Sequence, residues 1–152
     1  MRLQDAFGSF TLQLEADGRS PHTIAQYRRH IGLVVRELGD VDVDAITHEQ
    51  IAKFLLSPSA RTTRFGVAKK ATSTNCLRTS LRAFFAYVHA AGYARTNPAR
   101  LVRRARCGSP PPRALSDAEV ARLETLIAGA RGTACERDRV FVRLLLATGI
   151  RL

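Results

Sequence analysis

The chain has 152 residues, of which 45% are apolar, enough to build a core and to exclude global disorder. Its formal net charge of +11 is unevenly placed: no acidic residue lies between Glu49 and Asp117, where thirteen Lys and Arg stand. That gives +13 in the middle and −2 at the ends (11 bases against 13 acids), so an anionic partner, nucleic acid first, is expected, with a basic surface kept only for solubility as the bland alternative.

The periodicity is helical nearly throughout and predicts an all-α chain. A first helix is expected over about 3–16, with Leu3, Phe7, Phe10 and Leu14 inside, broken by Gly18. Ser20-Pro21 supplies an N-cap and a proline at the first helical position for a second helix to about Leu38, stopped by Gly39. Thr47 and Gln50 form a capping-box pattern for a short third helix, 49–56, ending before Ser57-Pro58. Residues 57–71 are predicted to be a mobile basic loop. A fourth helix is expected from Thr72 or Ser73 to Ala91, with Leu77, Leu81, Phe84, Phe85 and Val88 inside.

Four of the six prolines then fall between Pro98 and Pro112 and six arginines between Arg95 and Arg113, the composition of an extended basic linker. Ser116 to Glu119 is a second capping box, opening a helix to about Ala128. A last helix over about 135–148 is apolar over most of its second half and is expected to be buried on most sides. Neither the amino terminus nor the longest apolar run, Ala83 to Val88, suits a signal peptide or a membrane span. Cys76, Cys107 and Cys135 form no CxxC pair and no ligand cluster with the four His, so neither a metal site nor a disulfide framework is expected and a reducing cytoplasm fits.

At 100° per residue, Asn75, Arg78, Arg82 and His89 share one stripe on the fourth helix. His22, Arg29 and Arg36, with Gln26 beside them, do so on the second. Arg neutralises phosphate and can fork onto guanine, and Asn and Gln can pair with adenine. Any one stripe could equally be a solvated helix face.

The segments Ser20-Pro21-His22-Thr23 with Tyr27-Arg28-Arg29, and Thr72-Ser73-Thr74-Asn75 with Leu81-Arg82-Ala83-Phe84-Phe85, resemble two helices of the core-binding domain in the tyrosine recombinase (phage integrase) family. Gly92-Tyr93 with Asn97-Pro98-Ala99 resembles that domain's exit into a linker, and Arg113 to Val120 the lead into the catalytic domain. Ala147-Thr148-Gly149-Ile150-Arg151 is similar to the stretch ending in the family's first catalytic arginine. The resemblance implies a four-helix core-binding (SAM-like) bundle over 1–98, a linker over 99–114, and two helices beginning a truncated catalytic domain over 115–152.

The function it implies is the DNA-binding portion of a site-specific recombinase that clamps duplex DNA. In the family a tyrosine attacks a scissile phosphate without metal or nucleotide cofactor, so no cofactor and no small-molecule ligand is expected. The partners are duplex DNA and other recombinase protomers upon it. Arg151 carries over as a ligand of the phosphate oxygens, while the remaining catalytic groups belong after Leu152. The chain is accordingly expected to be a truncated product or fragment that does not cut DNA by itself. Expected DNA contacts are Thr23, Gln26 and Arg29, then Asn75, Arg78, Thr79 and Arg82. Arg61, Arg64, Lys69, Lys70, Arg103, Arg104 and Arg106 are expected on the phosphate backbone. A stand-alone regulator competing with a full-length recombinase, and less closely a basic helical RNA-binding protein, are the alternatives.

Overall fold

The computed structural model describes residues 1–108, 114–129 and 133–149, with the side chains of 133–135 not described. They form two compact units, Met1–Gly108 and Ser109–Leu152. The first contains α1 (Leu3–Ala16), α2 (Pro21–Leu38), a 3-10 turn (Val43–Ala45), α3 (His48–Leu56), α4 (Pro58–Arg61) and α5 (Ala71–Ala90). The second contains α6 (Asp117–Gly129) and α7 (Thr133–Thr148). Among the described residues there is no strand, only isolated bridges at Arg2–Asp42 and Thr62–Ala68. The fold class is all-α.

Local chemistry sets the helix bounds. Ser20 Oγ accepts from the Thr23 amide at 3.3 Å with Pro21 at the first helical position. Gly39 stops α2 at φ 75°, its N–H donating to the Val35 carbonyl, a conformation that favours glycine. The Thr47–Gln50 box closes in both directions, as does that of Ser116 and Glu119.

In the first unit α1, α2 and α5 pack on one another around an aromatic knot. The Phe10 ring lies 5.2 Å from Tyr27, 5.5 Å from Phe84 and 5.3 Å from Tyr87 between centroids. Leu3, Ile31, Leu81, Phe84, Phe85 and Val88 are wholly buried. Ile51 and Phe54 seat α3 on the same core. Removing a ring such as Phe84 from so close-packed an interior would cost about 3–5 kcal/mol.

Two features depart from the sequence-based expectation. Residues 57–71 are not a structureless loop: Ser57-Pro58 ends α3 and also starts α4, and a small hairpin follows. Its Thr63 amide donates to the Val67 carbonyl at 2.7 Å, and Gly66 turns it at φ 76°. The last helix is also not buried on most sides, for Val140, Phe141, Leu144 and Leu146 are all exposed. Within its own unit α7 is held to the end of α6 by Arg139, which donates to the carbonyls of Ile127 and Ala128 at 2.8 and 2.6 Å. A pair of helices has too little opposing surface to cover an apolar stripe on every side.

Candidate nucleic-acid interface

The cationic surface of the first unit is organised around the α4 hairpin. One cleft of about 420 Å³ is lined by Arg29 and Arg36 from α2, Ser59 from α4, and Thr62, Thr63, Arg64 and Lys69 from the hairpin. A second, of about 260 Å³, is lined by Arg61, Lys69, Thr74, Arg78 and, from the segment after α5, Ala105. Lys69 belongs to both, so cations from α2, α4, the hairpin and α5 adjoin. A third cleft, of about 490 Å³, places Thr79 and Arg82 beside Asn97 and Arg100. No carboxylate lines any of the three.

The position of Lys69 explains its electrostatics. Its Nζ donates to the carbonyls of Ser59 at 2.9 Å and Ala60 at 3.2 Å. Its pKa is lowered, first by partial burial and then by Arg29. An ammonium has three donors, and two are committed to the protein. Lys69 is therefore a strut of the hairpin as well as a cation, not the wholly free phosphate ligand that its sequence position implied. Lys70 is exposed and immediately precedes α5, whose N-terminus has no side-chain cap. Open helical amides beside an ammonium favour an anion.

The hairpin tip carries an exposed aromatic. Phe65 is 76% accessible, and the Arg64 guanidinium lies 4.6 Å from its ring centroid, within cation–π range.

Asn75 requires a correction. Its helical position suggested a base contact, but the side chain is only 3% exposed. Its Nδ2 donates to the Ala105 carbonyl at 2.9 Å, and its Oδ1 accepts from the Ala105 amide at 2.7 Å. The polar flank of α5 is covered there by the segment that follows α5 within the first unit, whose Ala99 and Val102 are themselves buried. Thr23 is half-buried with its hydroxyl 2.9 Å from that of Ser20, so it serves the helix cap. Neither Thr23 nor Gln26 lines any of the three clefts. Arg78 is half-buried and donates to Thr74 Oγ1 at 3.0 Å, while Arg29, Arg61, Arg64, Arg82, Arg103, Arg104 and Arg106 are exposed. Arg151 lies outside the described residues.

Sequence reasoning left Arg36 and Arg100 out of the contact set, though both line clefts with its members. Helical spacing from Arg29 places Arg36 on the same stripe and could have selected it. For Arg100 composition was the only signal. A larger groove of about 580 Å³ runs between α1 and α2 past Phe7, Leu12 and Val35, and holds none of the selected residues. Among the described residues no cluster of His, Cys, Asp and Glu could hold a metal, and no helix is long and apolar enough to cross a membrane.

The profile of the phage integrase N-terminal SAM-like domain matches residues 8–92, from within α1 to the turn after α5. The chain belongs to the phage integrase family. The match takes in α2, α4, the hairpin and α5, which line the clefts together with Asn97, Ala99, Arg100 and Ala105 beyond it. Over 147 residues the chain is 32% identical to the tyrosine recombinase XerC of Alcanivorax borkumensis, covering 95% of this chain and 45% of that relative. It thus spans about half the length of the curated relative that it matches.

Among solved structures this integrase-family chain is similar to a lambda integrase dimer bound to a COC' core site. The TM-score is 0.70 at 23% identity, over 99% of this chain and 40% of that one. It is similar also to a lambda integrase tetramer bound to a Holliday junction, with a TM-score of 0.72 at 23% identity over 99% and 41%. At such identity these likenesses establish the helical fold.

Proposed function

We propose that the chain is the DNA-binding portion of a site-specific tyrosine recombinase, with the first unit laid against duplex DNA. The observation that carries this reading is the adjoining pair of cation-lined clefts, in which Arg29, Arg36, Arg61, Arg64 and Arg78 surround Lys69 with no carboxylate among them. Such a surface suits a line of phosphates, because each neutralised phosphate releases condensed counterions. Family membership supports the reading, as do similar structures described as integrase bound to a core site or a Holliday junction.

In this proposal residues 1–98 form the core-binding domain, 99–114 the linker and 115–152 the first helices of the catalytic domain. Arg82, Arg103, Arg104 and Arg106 extend the phosphate-contacting surface, Arg151 belongs to the catalytic site, and other protomers bind beside the chain on DNA. The protein works in the cytoplasm, on the nucleoid where the host is bacterial.

The test is duplex binding as a function of salt. With roughly six to ten phosphates contacted, affinity should fall about 10³- to 10⁵-fold between about 50 and 200 mM salt. Replacing Arg29, Arg64 or Arg78 by alanine should each flatten the log–log slope by about 0.9. Arg2→Ala should not, since that guanidinium is already paired with Asp40 at 3.3 Å. A flat salt response, or equal affinity for structured RNA and duplex DNA, would reject the reading.

A further inference from the structure

Asn75 and Ala105 are thirty residues apart in sequence, yet the asparagine amide meets both backbone groups of Ala105. This is the pairing a neighbouring strand would give, supplied by a single side chain. Nδ2 also lies 3.0 Å from Cys107 Sγ, so the same amide holds the linker at two points. On either side of the grip, Arg103, Arg104 and Arg106 are exposed, and Ala105 lines the same cleft as Arg61, Lys69 and Arg78. Upstream, Val102 is buried and its amide donates to the Ala99 carbonyl at 3.0 Å. Residues 102–108 have no helix or strand of their own. The hydrogen bonds of this segment therefore depend on what it lies against.

We propose that Asn75 is a positioning residue that clamps the basic linker along α5, so that Arg103, Arg104 and Arg106 form one continuous cationic surface with Arg61, Lys69 and Arg78 before any nucleic acid arrives. This rests on the DNA-binding reading for its purpose, though not for its geometry. Buried asparagines are costly unless satisfied, and here satisfaction comes from the linker alone. A clamp adds no charge to the interface. It removes the need to order the linker when the partner binds, which is how preorganisation raises affinity.

The consequence separates the clamp from a phosphate ligand. Losing a phosphate-contacting arginine lowers the number of counterions released, and so the salt slope. Loss of the clamp leaves every charge in place, so affinity falls at an unchanged slope. Asn75→Leu keeps the branched shape and the number of side-chain heavy atoms, and removes both bonds to Ala105 and the contact with Cys107. Ala105→Pro removes the linker's amide donor without touching the bundle, and decides the matter if Asn75→Leu does not fold.

In the full chain without DNA, Asn75→Leu should speed trypsin cleavage after Arg103 and Arg106 by about 10- to 100-fold, the equivalent of two net hydrogen bonds, and Ala105→Pro, which removes one of them, by about 2- to 10-fold. The thermal midpoint of the bundle and amide protection at Leu81 should be retained. On duplex DNA, affinity should fall by a similar factor with the slope unchanged. Unaltered cleavage in both variants would overturn the clamp, as would an affinity loss that appears only together with bundle unfolding. If the unaltered chain binds no duplex, the functional reading falls, and the protease measurement alone decides the clamp.

Discussion

His30 of α2 and Ser80 of α5 are joined by a hydrogen bond of 2.8 Å inside the bundle, where the histidine is 9% and the serine 2% exposed. The pair fixes the two helices against each other at the level where both also carry their cationic residues. Burial, followed by Arg29 and Lys69, lowers the His30 pKa from 6.5 to about 4, so the ring is neutral in the folded protein near neutral pH.

Between those two values the unfolded chain binds a proton that the folded chain does not. The stability tied to His30 is therefore complete above about pH 6.5 and is lost as pH falls from there toward 4. Each tenfold difference in proton affinity between the folded and unfolded chain is worth about 1.36 kcal/mol, so the loss is roughly 2–3 kcal/mol at the lower end. Urea denaturation at pH 7, 5.5 and 4.5 should show it. His30→Asn, which places a neutral polar atom near the same point, should have a flatter profile over that range.

Lys69 combines two roles, and its loss should register in two measurements. Lys69→Met keeps the stem but frees the carbonyls of Ser59 and Ala60, so urea unfolding should show a loss of about 1–2 kcal/mol. The salt slope of duplex binding should flatten by at most about 0.9, because the ammonium is already partly committed to the protein. A variant that lost affinity with no loss of stability would show that the strut role is wrong.

Gly66 turns the hairpin at φ 76°, although a Cβ there would meet no atom within 4 Å. Gly66→Ala should therefore cost about 1 kcal/mol or more through backbone strain rather than a clash. The expected readout is faster exchange of the Thr63 and Lys69 amides, which donate to the Val67 and Arg61 carbonyls, with little change at Leu81. Duplex affinity should drop with it, since Arg64 and Lys69 flank the turn.

Phe65 offers a ring at the tip of the same hairpin. On DNA it should lie against sugar or base surface, giving apolar contact without counterion release. Phe65→Ala should weaken duplex binding by about 5- to 100-fold, in the range of aromatic–base contacts, with the salt slope unchanged. A fall in slope would mean that the substitution had displaced Arg64 instead.

Much of the helical frame is written locally. Ser20-Pro21, Gly39, the Thr47–Gln50 box and the Ser116–Glu119 box are short-range signals, and the bounds of α1 and α2 and the buried stripe of α5 follow from them and from the 3.6-residue repeat. α4 escapes such signals, because the one dipeptide Ser57-Pro58 both ends α3 and starts α4, and a four-residue helix has no periodicity to reveal it. The concentration of positive charge is equally plain, because composition needs no coordinates.

What each polar residue does was decided elsewhere. A helical wheel puts Asn75 on the same flank as Arg78 and Arg82, but only the path of residues 102–108 determines that Asn75 is covered while Arg82 is not. His30 looks like one more surface polar residue of α2 until Ser80, fifty positions later, is packed against it. Spacing along a helix is fixed by its own backbone, so sequence alone states which residues share a face. Which partner meets that face depends on side-chain packing between distant segments, and that was settled only when α2, α5 and residues 102–108 came together.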